Sequence, residues 1–381
     1  MVAVHVASAG ADAPLGRADV VASGRASALF AVLAGCGLAL ATGGPHPRTG
    51  RALAGARRAV VARAGVVAAV GLTVGGLPTP AAVILAYYGM LFLLALPVLG
   101  WRFRRLAAAS AVCAVITPLV SHLLRRASPR GPGPNLGWED LLVAPADLAR
   151  TLLLDGYYPV LTWSTYLFAG LAVGRLPLVS TRVAVRVAAA GAALAATGLA
   201  AGALTLATIG PAALGRATGE SAADVLHRLA TSSYGTSPTS SWWWLGTAGR
   251  HSGTTPDLLH TTGTALLVIG GLLLLVPPTH PATARWTLLG RRLVAPLVAV
   301  GSMTLTLYSL HVLLLGATRD WDRLDDVPVS LVLVGHVVVA LTAAVAVGAP
   351  HRRGPLEALT AAGGRRAEAT VRNGPGHGVA G

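Results

Sequence analysis

The sequence predicts an all-α, polytopic transmembrane helix bundle, and three observations predict it. Of 381 residues, 54% are hydrophobic and only 12% charged, about half the charged share of an ordinary soluble domain. The charges gather in short stretches between long apolar runs, as expected where lipid rather than water covers most of the surface. All 30 basic residues are Arg, and most fall in alternate loops.

Apolar runs of about 17–25 residues can cross the hydrocarbon core. Nine qualify here: about 24–42, 59–76, 80–100, 106–122, 157–174, 187–209, 258–276, 294–315 and 328–348. Before them, MVAVHVAS is apolar but too short to cross, and it lacks the charged flank of a signal peptide. It is expected to be the distal half of a truncated first helix. The bundle then holds about nine complete helices plus that fragment and fills residues 1–350. The Arg/Gly-rich tail 351–381 is expected to be disordered.

Arginine distribution orients the bundle. With the loop after 24–42 taken as cytoplasmic, 19 Arg fall on the inner side beside only Glu357 and Glu368, leaving 11 Arg and 13 acids for the outer side. This predicts a multi-pass chain in a cell membrane with its C-terminus in the cytoplasm. A net charge of +15 would suggest nucleic acid in a soluble protein. Here orientation accounts for it, so the lipid bilayer is the expected partner and nucleic acid is not. A homodimer is compatible with such a bundle.

Two outer loops are long, about 123–156 and 210–257. The first carries Asp147–Asp155, which could lie as an amphipathic helix at the interface. The second holds Trp242, Trp243 and Trp244, most simply an interfacial anchor and alternatively a sugar-stacking platform.

Ionisable side chains inside membrane segments are costly, so each needs a reason. No Asp or Glu lies deep in a spanning segment, whereas His5, His122, His260, His311 and His336 fall within or at the ends of helices. Four of these tend towards the outer ends, with His251 in an adjoining loop. A neutral imidazole there could serve as general base towards a hydroxyl or amine; for any single His, a hydrogen-bonded structural role competes with that reading. No HExxH or H-x₃-H spacing is present, so no metal is expected. Cys36 and Cys113 lie inside helices and suit packing. On the inner side, Arg57 and Arg58 are explained by orientation. Arg63 lies deeper, and could snorkel or meet phosphates. Arg25 stands at an outer helix entrance against the topological preference, where an anion or a substrate hydrogen bond would explain it. The following Gly35 and Gly37 permit close helix approach.

The order of motifs is distinctive. A helix ends in Met1-Val-Ala-Val-His5, followed by Gly24-Arg25-Ala-Ser-Ala-Leu-Phe30 through Gly35 and an Arg-rich inner loop. Later come Gly156-Tyr157-Tyr158-Pro159 through Trp163, His251-Ser252-Gly253-Thr254, and Gly301 through Tyr308 to His311. Together these resemble bacterial multi-pass proteins grouped with heparan-alpha-glucosaminide N-acetyltransferase, including those of domain of unknown function 418. More remotely, they resemble the type-3 membrane acyltransferases. The resemblance implies that an acyl-CoA such as acetyl-CoA is the donor substrate, bound from the cytoplasm. The acetyl or other acyl group would pass to an extracytoplasmic sugar, glycan or lipid-linked acceptor. It implies His5, His251 and His311 as catalytic residues, with His5 the base or a transient acyl carrier. Arg25, Tyr158 and Asp257 would bind the acceptor, and Arg57, Arg58 and Arg63 the CoA phosphates.

A transporter or flippase for a small solute or lipid-linked sugar is the alternative, with Pro97, Pro118 and Pro296 breaking helices for gating. Neither an inverted repeat nor a membrane-embedded carboxylate supports it.

Overall fold

The computed structural model describes residues 24–131, 133–231, 233–275, 295, 297–318, 329–347 and 352–372. All regular structure among them is helical. Among the described residues, five helices are long and apolar enough to cross a membrane: Gly50–Gly75, Phe103–Ala127, Thr181–Ile209, Thr255–Leu275 and Ser330–Val347. Shorter apolar helices cover Arg25–Ala41, Leu85–Val98, Val160–Gly174 and Thr304–Ala317. Each of the nine apolar runs therefore contains a helix, as hydropathy alone requires. His5 and Pro296 lie outside the described residues.

In chain order the helices are α1 (Arg25–Ala41), α2 (Gly50–Gly75), α3 (Leu85–Ala95), α4 (Phe103–Ala127), α5 (Trp138–Val143), α6 (Pro145–Arg150), α7 (Val160–Gly174) and α8 (Thr181–Ile209). After them come α9 (Pro211–Arg216), α10 (Ala222–Ala230), α11 (Thr255–Leu275), α12 (Thr304–Thr318), α13 (Val329–Val347) and α14 (Pro355–Arg372). They form two compact units. One draws on Leu15–His46 and Trp101–Pro277, the other on Pro47–Gly100 and Pro278–Gly381.

In the first unit, small residues let helix backbones touch. A Cβ on Gly170 of α7 would sit 2.0 Å from the Val32 carbonyl oxygen of α1, and one on Gly35 would sit 2.3 Å from the Leu167 oxygen. Gly37 has open space, so of the two α1 glycines only Gly35 serves the crossing. The α8–α11 pair is built likewise: a Cβ on Gly191 would lie 2.4 Å from Leu267 N, and one on Gly263 2.3 Å from Ala195 N. Such contacts are the main source of helix association in lipid, where apolar burial gives little.

Backbone groups freed from helices are satisfied by side chains, as a membrane demands. Pro118 inside α4 cannot donate to the Ala114 carbonyl. Thr255 Oγ1 of α11 donates to that oxygen instead, at 2.9 Å. Buried Arg175 closes the end of α1 by donating to the carbonyls of Ala39 (2.7 Å) and Gly44 (3.0 Å) and to Thr42 Oγ1 (3.0 Å). A cation there also suits the negative end of the helix dipole.

The outer-loop expectations change in detail. The Asp147–Asp155 stretch is the end of α6 followed by a wide π turn, held by an ion pair between Arg150 and Asp155. The three tryptophans start a 3₁₀ turn, and they divide: Trp244 is buried against Leu214 and Val225, whereas Trp242 and Trp243 are 46% and 55% exposed. Only the latter two are free to meet an interface or a ligand.

In the second unit, α2 packs on α3 and on α14. The tail expected to be disordered is helical over Pro355–Arg372. Its anchors explain this. Glu357 accepts the backbone N–H groups of Leu305 (2.6 Å) and Thr306 (3.1 Å), and Thr306 Oγ1 donates to it at 2.6 Å. These are the orphan donors at the start of α12, left there because a turn at 302–303 interrupts the run read as one helix over 294–315. Arg48 pairs with Glu368 at 2.6 Å, and a Cβ on Gly55 would meet Glu368 Cγ at 3.2 Å.

Candidate functional site

The candidate site lies in the first unit where α1, α7 and α11 begin. Gly24, at positive φ, turns the chain into α1, and a Cβ there would touch the His251 ring and backbone at 3.7 Å. The next residue, Arg25, donates from Nε to His260 Nε2 at 3.0 Å. Because that nitrogen accepts, His260 carries its proton on Nδ1, which lies 3.2 Å from the Ala195 carbonyl and donates to it. Both nitrogens of His260 are thereby occupied, so it positions Arg25 and cannot act as a base.

Asp257 stands one helical turn before His260, on the same face of α11. It is buried, and its Oδ2 accepts from Gly253 N at 3.0 Å. The loop carrying His251 is thus tied to the first turn of α11. Beneath it, Thr261 Oγ1 donates to the Asp257 carbonyl (2.6 Å), so the buried Tyr166 hydroxyl is the donor in its 2.7 Å contact with Thr261 Oγ1.

His251 sits at φ 52° and Tyr234 at φ 47°, a conformation uncommon outside glycine. Two short bonds hold them, Ser233 N to Arg250 O and Gly235 N to His251 O, both 2.8 Å. Backbone strain of this kind persists only where the surroundings over-determine it, and it clusters at functional sites. The imidazole stacks on Trp163 with centroids 6.5 Å apart and meets the Tyr158 edge at 6.1 Å. Its nitrogens make no hydrogen bond among the described residues. Burial, reinforced by the Arg250 charge, lowers its pKa to about 4. His251 is therefore neutral at pH 7 and available to a reacting group, the complement of His260.

Aromatic rings continue outward from His251: Tyr158 to Tyr157 at 6.4 Å, then Tyr157 to Tyr234 at 6.0 Å, the last 58% exposed. Three helix N-termini add positive potential at the same place. The arrangement offers a neutral imidazole, a fixed guanidinium and flat apolar walls.

Of the residues singled out from sequence, the structure brings together Arg25, Tyr158, His251 and Asp257. Sequence reasoning did not assign His260, Trp163 or Tyr166 to the site; the spacing of Asp257, His260 and Thr261 along one helix face was the signal available for the first. His122 is fully buried against Trp242, centroids 4.5 Å apart.

His311 belongs to the second unit, where its ring meets the edge of His336 at 4.9 Å. The arginines expected at CoA phosphates are also in that unit. Arg57 donates to the carbonyls of Leu96 (2.9 Å) and Pro97 (3.3 Å), and Arg58 to Thr370 Oγ1 (3.2 Å). Arg63 lies over the Phe92 ring, 5.3 Å from its centroid, within electrostatic reach of Glu357.

Compared with known proteins, residues 12–207 match the family model described as heparan-alpha-glucosaminide N-acetyltransferase, catalytic. That stretch contains Arg25, Tyr158 and Trp163, while His251, Asp257 and His260 follow it in the chain. No curated protein and no solved structure matches the chain.

Proposed function

The chain belongs to the heparan-alpha-glucosaminide N-acetyltransferase catalytic family, and on that premise we propose that it moves an acetyl group from acetyl-CoA to a sugar or lipid-linked acceptor at the Arg25–His251 cluster. The observation that carries this is the division of labour between the two imidazoles. Arg25 from the family-matched segment occupies His260, whereas neutral His251 makes no hydrogen bond through its ring nitrogens among the described residues.

In the proposed step, an acceptor hydroxyl or amine attacks the thioester carbonyl carbon. His251 takes the acceptor proton as the new C–O or C–N bond forms. The C–S bond then breaks, and the proton passes to the CoA thiolate. Arg25 and the helix N-termini stabilise the negative charge on the tetrahedral oxygen. Tyr158, edge-on to Trp163, backs the ring series that ends in exposed Tyr234, the face against which a sugar ring packs. His5 and His311 stand as further catalytic candidates of this proposal. Arg57, Arg58 and Arg63 are the guanidinium groups proposed for the donor phosphates.

The test is thiol release from acetyl-CoA by membranes containing the protein, with glucosamine as acceptor probe. His251→Asn is expected to lower turnover by about 10²-fold or more, the usual loss of a general base. His5→Ala measured alongside separates the two histidines. Full turnover in both His251→Asn and Arg25→Ala would remove this cluster from the chemistry.

A further inference from the structure

Between the α4–α7 pair and the α8–α11 pair, the first unit contains a cavity of about 420 Å³. Its wall is mostly apolar, and much of it is alanine: Ala107 and Ala114 of α4, Ala169 of α7 and Ala190 of α8, with Leu258 of α11. Protein interiors are otherwise close-packed, so facing alanines across two helix pairs leave a space the size of a ligand segment.

The cavity has one cationic end. Arg186 lines it near the start of α8, beside Phe103 at the start of α4 and Leu176 just past the end of α7. Arg186 is exposed and makes no hydrogen bond or ion pair among the described residues. Arg102, Arg104, Arg105 and Arg182 are likewise exposed at these helix starts. No Asp or Glu occurs between Trp101 and Trp138, or between Arg175 and Gly219. Along α8, the lining from Arg186 to Leu194 spans about 12 Å at 1.5 Å per residue. One leaflet contributes roughly 15 Å to the hydrocarbon core.

We propose that this groove binds an anionic membrane phospholipid, with its phosphate at Arg186 and one acyl chain lying along Ala190 and Ala169 towards Leu258. Charge selects the occupant: an apolar slot accepts any hydrocarbon chain, but an arginine collar without nearby acids favours an anionic headgroup. Exposed alanine positions on α4 and α8 open the slot sideways to lipid. The site uses none of the residues assigned to acetyl transfer and stands or falls separately from that reading.

The experiment uses the full chain in phosphatidylcholine vesicles containing a trace of phosphatidylglycerol with a diazirine at the end of one acyl chain. Irradiation followed by peptide mapping is expected to label α11 around Leu258–Leu266. Arg186→Gln should reduce that labelling about fivefold, the share of one arginine near an anionic surface. Ala190→Trp should abolish it by filling the slot. Should the tryptophan variant not fold, competition on the unsubstituted protein tests the same site independently. Unlabelled phosphatidylglycerol should displace the probe and phosphatidylcholine should not. Equal displacement by both lipids, or undiminished labelling of Arg186→Gln, would overturn the proposal.

Discussion

Arg25 Nε donates to His260 Nε2 at 3.0 Å, joining the first turn of α1 to the second turn of α11 across 235 residues of sequence. The bond fixes a tautomer and a guanidinium at once. Arg25→Ala would strand a buried acceptor, costing about 1–3 kcal/mol, so thermal unfolding in detergent should fall by several degrees while turnover is lost. Arg25→Lys should recover part of the stability without full activity, because one ammonium cannot present the same fork of donors.

His251 gives stability a definite pH dependence. Its folded pKa of about 4 lies below the ordinary 6.5 of histidine, so between these values the unfolded chain binds the extra proton. The contribution is complete above about pH 6.5 and is lost as pH falls towards 4, at most about 1.4 kcal/mol per pH unit. Melting temperatures from pH 7 to pH 5 should drop for the native chain and drop less for His251→Asn. Asparagine tolerates the left-handed backbone at this position, so a flat profile in that variant would identify the imidazole rather than the loop as the sensor.

Glu357 closes α12 through two backbone N–H groups and a hydroxyl. Glu357→Ala is expected to destabilise by about 1–2 kcal/mol, the usual loss of a helix cap. It should also speed hydrogen exchange at Leu305 and Thr306. The Arg48–Glu368 pair is 36% and 45% exposed, so Glu368→Gln should cost under about 1 kcal/mol. Equal losses in the two variants would contradict this ranking.

Gly170 and Gly37 make a controlled pair. A Cβ at Gly170 would overlap the Val32 carbonyl, whereas Gly37 faces open space. Gly170→Ala should sharply reduce monodisperse protein in fluorescence-detected gel filtration, and Gly37→Ala should leave it unchanged.

Sequence by itself determined where the apolar helices are. Apolar run length is a local property, and each of the nine runs contains one because unsatisfied backbone in lipid is prohibitive. It also pointed to Arg25 and His251 as residues needing a reason, and the family resemblance added Tyr158 and Asp257. Tertiary structure alone decided which histidine is occupied and which is available, that Gly35 rather than Gly37 meets a neighbouring helix, and that residues 355–372 of the Arg/Gly-rich tail form α14. Each of these depends on helix rotation and on partners tens to hundreds of residues away, as Glu357 depends on the broken start of α12. Hydropathy carries no record of those angles; close contact between backbones and the need to pair every buried polar group set them.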